Sequence, residues 1–274
     1  MSITVVPAHP SQDGAGVRIK RVHGFNNGAL DPFLMLDEIL SDNPDDYIAG
    51  FPPHPHRGIE TLTYIRHGGF RHQDHMGNTG EISSGGAQWM SAGKGVIHSE
   101  MPLQEEGLLH GFQLWINLPA KDKLKAADWK DYPAEQLPWQ ILGDGHLKTI
   151  AGTIESPEKQ YSSPLNNLPA QASVADLSLP NGGSATIRSE GYKTLIHVYQ
   201  GKVLVNDRIV MQQQMAIIND MSEIRLDSQA PAGCLILQGV PLNEPVAHYG
   251  PFVMNTEAEI KTAIREYQQG TLTD

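Results

Sequence analysis

The octapeptide TLTYIRHG at residues 61–68 returns 133 residues later, without a gap, as TLIHVYQG at 194–201. Thr, Leu and Gly coincide. Both copies are β-branched and aromatic runs closed by a glycine, the composition of a strand that runs into a turn. A chain carrying such a segment twice is expected to hold two copies of one β unit. Other short runs agree: GFQLWINL (111–118), KVLVN (202–206) and CLILQGV (234–240) are bounded by Gly, Asn or Pro. They are too short for typical helices, and their spacing predicts a sandwich or barrel. One helix is expected, over residues 256–268. Thr256 and Glu259 make a capping-box pair, Ile260, Ala263, Ile264 and Tyr267 form an apolar face, and Gly270 follows as the stop. The charged, turn-rich stretch 120–138 reads as the connection between units, which puts the expected domains at 1–125 and 126–274.

Composition narrows the function. The 274 residues carry a net charge of -11, with 20 basic against 31 acidic side chains. That argues against a broad phosphate-binding face, because nucleic-acid affinity rests on clustered Lys and Arg. The single cysteine, Cys234, excludes an internal disulfide and fits a reducing compartment; CLILQG around it predicts a buried, inert thiol. No basic leader precedes an apolar run at the start of the sequence, and no apolar run reaches the ~18 residues of a membrane span. A soluble, cytoplasmic protein with no membrane contact is the expectation. Of twelve histidines, seven lie between His54 and His110, and the second repeat has few. That uneven spread points to a metal in the first unit alone.

The segment GFPPHPHRG (50–58) shows how ligands could be arranged. In a strand, residues i and i+2 share a face, roughly 6.5–7 Å apart at Cα. Pro55 fixes its own φ and pushes His54 toward an extended conformation. His54-Pro55-His56 is therefore a stiff tripeptide with both imidazoles on one side. VIHSEMP (96–102) supplies a second i, i+2 pair, His98 and Glu100. Three imidazoles and one carboxylate make a mixed N/O set that leaves a position or two open on a five- or six-coordinate ion. Glu60 sits four residues after His56, and period two gives it the same face, so spacing alone leaves Glu60 and Glu100 both open. At the repeat offset, His54 and His56 map to Ile187 and Ser189.

GFPPHPHRGIETLTYI, QDHMGNTG, QWMSAGKGVIHSEMP, GFQLWINLP and HYGPFVMNT together resemble the pirin family of the cupin superfamily, over about residues 15–268. The resemblance implies an all-β fold of two jelly-roll-like cupin barrels packed face to face, with metal in the N-terminal one only. It implies His54, His56, His98 and Glu100 as ligands, favouring Glu100 over Glu60. The implied cofactor is one divalent transition metal, Fe(II) first, with Mn, Ni, Cu or Zn tolerated by the same donors. It further implies a quercetin 2,3-dioxygenase-like activity, opening the central ring of a flavonol with O2 and releasing carbon monoxide, with Glu100 as the catalytic carboxylate. The alternative it carries is an iron-dependent, redox-sensing regulator acting through protein partners. Substrate access separates the two, since a closed metal pocket suits a sensor and an apolar channel suits an enzyme.

The remaining candidates read as structural. His72 and His75, in RHQDHMGNTG, are expected on a loop, and His67, beside Gly68-Gly69, is expected exposed. His110 and His197 are expected to pack inside, and Gly93 and Gly95 to form a turn, with no phosphate-loop lysine and helix after them. Trp89, Met90, Phe112 and Trp115 are expected in the core, with one or two walling a cavity.

Overall fold

The computed structural model describes residues 2–25 and 28–274. Strand dominates, with a single α-helix among the described residues, Glu257–Gln268. The chain divides into two compact units. The histidine-rich unit comprises Pro10–Gly28, Phe33–Ala134 and Leu242–Asp274; the other takes the chain up to His9, Ala29–Pro32 and Glu135–Pro241.

Each unit pairs a seven-stranded sheet with a four-stranded one. In the histidine-rich unit the larger sheet runs Asp128–Tyr132, Ala87–Ser91, Ile59–His67, Leu109–Asn117, Phe33–Ser41, Val17–His23, His9–Asp13. The smaller runs Phe51–His56, Val96–Pro102, Gly69–Asp74, Thr79–Ser83. In the other unit the larger sheet runs Ser2–Pro7, Gln214–Asn219, Lys193–Gln200, Ala232–Gly239, Ser173–Leu179, Gly145–Ala151, Trp139–Leu142, and the smaller Ser184–Arg188, Glu223–Asp227, Lys202–Val205, Arg208–Met211. The two repeat segments lie in Ile59–His67 and Lys193–Gln200, and both strands stand third in their seven-stranded sheets. Their β-branched runs are buried on both faces there.

Among the described residues the sheets do not close into barrels. One reason is legible in Phe51–His56, an edge of its sheet: Pro52, Pro53 and Pro55 carry no N–H, so a further strand has little to pair with. Each core is instead filled from both sheets. Ile19, Ile39, Ile65 and Leu109 from the larger sheet meet Phe70 and Ile82 from the smaller. In the second unit Ile196, Ala216 and Ile236 meet Ile187, Val203 and Ile224.

The division also differs from a linear cut at 125/126. Ser2–Pro7 pairs antiparallel with Gln214–Asn219, from Ser2↔Asn219 to Pro7↔Gln214. The last segment, Leu242–Asp274, belongs with the histidine-rich unit. Buried Arg57 ties it there, donating to Leu272 O at 3.1 Å and pairing with Glu266 Oε2 at 2.7 Å. The helix itself is as its sequence requires. Thr256 caps it in a complete capping box with Glu259, Ile260 and Ala263 are buried, and Gly270 follows in the left-handed region at φ +73°.

Candidate metal centre

Strand Phe51–His56 lies beside Val96–Pro102, with His54 opposite His98 and His56 opposite Val96. The stiff His-Pro-His segment therefore aims two imidazoles at the one from the neighbouring strand. Ligand nitrogens of His54, His56 and His98 all lie within 4.8 Å of one another. The chain just beyond is locked. Gly58 has φ +80°, and a Cβ there would sit 1.9 Å from Val253 O, so only glycine fits. Lys123, fully buried, donates to Gly58 O (2.8 Å), Asn117 Oδ1 (2.6 Å) and Val253 O (3.0 Å).

The nitrogens are prepared for a ligand. His54 Nδ1 lies 2.8 Å from Pro52 O; donating there leaves its Nε2 lone pair available. His56 Nδ1 and His98 Nε2 are buried and have no hydrogen-bond partner. Buried polar atoms of this kind are rare and costly, and a divalent ion would satisfy them. Burial and then His54 push His56 down to about 3. Burial and the neighbouring imidazoles push His98 well down too. All of this favours the neutral imidazoles that bind metals. The three-histidine cluster is thus suited to a divalent metal ion.

Glu100 is buried in the same unit but stands outside that cluster. Its Oε1 accepts from Thr63 Oγ1 at 3.1 Å, and Gln113 Nε2 lies 3.5 Å from Oε2. Burial raises its carboxyl pKa above the usual range, with His54 and Thr63 pulling the other way. Glu60 is fully committed elsewhere: Lys125 Nζ sits 2.5 Å from Oε1 and Trp89 Nε1 donates to Oε2 at 2.7 Å. Its carboxylate is a structural anchor beneath the larger sheet.

His72 departs from the loop expectation. It lies in strand Gly69–Asp74 opposite Glu100, is buried, and its Nδ1 is 3.3 Å from His98 Nδ1. If His98 keeps its Nε2 lone pair for the ion, its Nδ1–H donates to His72. The remaining His72 proton then faces Asp74 Oδ2, 3.8 Å away. The indole of Trp129 stacks on His72, with centroids 5.4 Å apart. The signal was present in FRHQD, where Phe70 and His72 are buried while Arg71 and Gln73 are exposed. The turn residues that follow masked that alternation. His75 is indeed an exposed turn residue and His67 is exposed; His110 is buried 3.1 Å from Glu38, and His197 lies in the core. Cys234 is buried, and burial raises its thiol pKa.

A cavity of about 800 Å³ in this unit reaches the centre. His54, His56 and Glu100 form one part of its wall, and Phe51, Phe70, Phe112 and Trp115 supply flat apolar surface. Trp115 meets His56 edge to face, with centroids 5.1 Å apart.

The second unit shows the same framework without the centre. Ile187 faces Ile224 where His54 faces His98, and Leu226 faces Val205 where Glu100 faces His72. With Ser189 in the place of His56, no ligand position is retained. Ile187, Ile224, Leu226 and Val205 are core residues.

Fold and site define a two-unit β protein of the cupin type, with one three-histidine cluster, among the described residues, suited to a divalent metal ion. Its residues 16–116 match the pirin family model and 174–273 the pirin C-terminal cupin domain. The chain belongs to the pirin family. A provisionally named quercetin 2,3-dioxygenase of Vibrio cholerae is 47% identical, the match covering 97% of this chain and 95% of that one. A pirin-like protein of Caulobacter vibrioides is 38% identical, over 98% and 97%. The crystal structure of quercetin 2,3-dioxygenase from Acinetobacter baumannii is similar, with TM-score 0.90, 33% identity and coverage of 98% and 96%.

Proposed function

We propose that the protein is a metal-dependent dioxygenase that opens the central ring of flavonols such as quercetin with O2. The observation that carries this is the cavity: the histidine cluster opens, at His54 and His56, on a largely apolar chamber of about 800 Å³. A redox sensor needs no such chamber. The relatives named for quercetin oxidation, close in sequence or structure over nearly their full length, support the same reading.

In this reading His54, His56 and His98 would hold the ion, Fe(II) by preference, with Glu100 as the carboxylate beside them. Once bound, the ion supplies Lewis acidity, lowering the pKa of a flavonol hydroxyl. The chain's own residues do the rest. Glu100 takes the hydroxyl proton, and its raised pKa makes it a better acceptor than an exposed carboxylate. Thr63 and Gln113 hold Glu100 in that accepting orientation. Phe70, Phe112 and Trp115 orient the aromatic rings and exclude water from the reacting face. His72 fixes the ring of His98.

The test is spectroscopic. Iron-loaded protein in air should bleach the flavonol band of quercetin, and His98→Ala should abolish the bleaching. Glu100→Gln should slow it by roughly 10²–10⁴-fold, the usual worth of a positioned base. Iron-loaded protein that binds a protein partner according to iron oxidation state, while leaving quercetin intact, would establish the sensor reading instead.

A further inference from the structure

The cavity floor in the larger sheet is striped. Cross-strand register places Arg21 opposite Asp37, Asp37 opposite Gln113, and Gln113 opposite Thr63, so four polar side chains cross the sheet in one row. The row on one side is Ile39, Gly111 and Ile65, and Met35 and Trp115 lie on the other. All of these residues line the cavity. The Thr63 end is tied to Glu100. Asp37, to which Arg21 is paired, lies two strand spacings away, roughly 10 Å at about 4.8 Å per strand.

At that far end Arg21 and Asp37 make a fork-to-fork pair: Nε donates to Oδ1 at 2.7 Å and one terminal nitrogen to Oδ2 at 2.6 Å. That same terminal nitrogen also reaches Asp13. The other terminal nitrogen has no protein acceptor among the described residues. The Asp37 carboxylate, almost wholly buried, keeps lone pairs beyond the two that Arg21 uses. The pair lines the cavity with hydrogen-bonding capacity left to offer a ligand. A phenolic hydroxyl suits it, because it can accept from the free guanidinium N–H and donate to the carboxylate.

We propose that Arg21 and Asp37 form a second substrate anchor, which binds a ring hydroxyl at the end of the molecule remote from the metal. This rests on the flavonol reading above and deepens it. The site then measures length. A polyphenol of two or more rings, with an enol at one end and a phenol or catechol at the other, spans both anchors; a single-ring enol reaches only one. Gln113 and Thr63 provide polar contacts between the two, and the apolar rows grip the ring faces.

The test compares quercetin with 3-hydroxyflavone, which carries the same metal-binding enol and no other hydroxyl. Both are titrated calorimetrically into the iron-loaded full chain without oxygen. The wild type should bind quercetin roughly 10- to 100-fold more tightly, the worth of one or two hydrogen bonds to charged groups. In Asp37→Asn, and in the neutral pair Arg21→Gln with Asp37→Asn, that ratio should fall to within about threefold of one. Circular dichroism and iron content confirm that each variant is folded and loaded, and the conservative single variant serves if the double one is not. A wild-type ratio near one, or a ratio unchanged in the folded variants, overturns the proposal, as does binding of neither flavonol. Collapse of the ratio without oxygen-dependent loss of quercetin would leave the anchor standing and remove the dioxygenase reading. Turnover with an unchanged ratio would do the reverse.

Discussion

At the scale of single residues, the proposed centre divides into groups that would touch the ion and groups that would aim them. His72→Ala removes the acceptor that orients His98, and the expected loss of metal affinity is roughly 10–100-fold by chelator competition. His75→Ala, three residues along in an exposed turn, should leave affinity within about twofold. Equal loss in both would show that His72 does not act through His98. The two glutamates separate in the same way. Glu60→Gln should keep full metal occupancy by elemental analysis while lowering stability by about 1–3 kcal/mol, because Lys125 loses its charged partner. The histidine ligand candidates were legible because period-two spacing and a proline constrain them locally. His72 was not, because its role depends on which strand lies beside it. Thr63, Gln113, Arg21 and Asp37 carry no local motif at all; only cross-strand register makes them a row.

At the scale of elements, the segment that bears the ligands is held from behind. Lys123 gathers Gly58, Asn117 and Val253, and its three acceptors use all three N–H bonds of the ammonium. Burial pushes the other way, lowering its pKa from 10.5 to about 7. Between about pH 7 and 10.5 the unfolded chain then binds the proton that the folded chain has released. Stability from this group accordingly rises with pH across that window and is lowest below it. Urea titrations should show wild type gaining on Lys123→Met as pH rises from 7 to about 9, with the variant less stable by about 3 kcal/mol near the top of that range. No gain over that interval would place the Lys123 pKa outside it. The element types themselves were readable, since short β-branched runs and the Thr256–Glu259 capping box need no tertiary information. Sheet closure was not, because edge prolines prevent pairing only where an unpaired edge would otherwise receive a strand.

At the scale of the whole molecule, one framework occurs twice and is chemically equipped once. Ile187, Ser189, Ile224 and Leu226 occupy the places of His54, His56, His98 and Glu100, so metal analysis should return one ion per chain. His56→Ala should lower that toward zero while the melting transition survives, because the ligands sit on strands whose cores are packed without the ion. The repeat at offset 133 showed the duplication, and the contrast in histidine content showed which copy holds the site. The pairing of Ser2–Pro7 with Gln214–Asn219 was hidden, since an isolated strand sequence does not name its partner.

The most direct test of the dioxygenase account is oxygen uptake. Protein loaded with Fe(II) without air is placed in an oxygen electrode, and quercetin is then added. The account predicts no uptake before quercetin, then about one O2 consumed per flavonol lost, with neither event in His98→Ala. Iron-loaded protein showing no quercetin-dependent uptake at any pH between about 6 and 9, the span that covers ionisation of the bound hydroxyl, would contradict it.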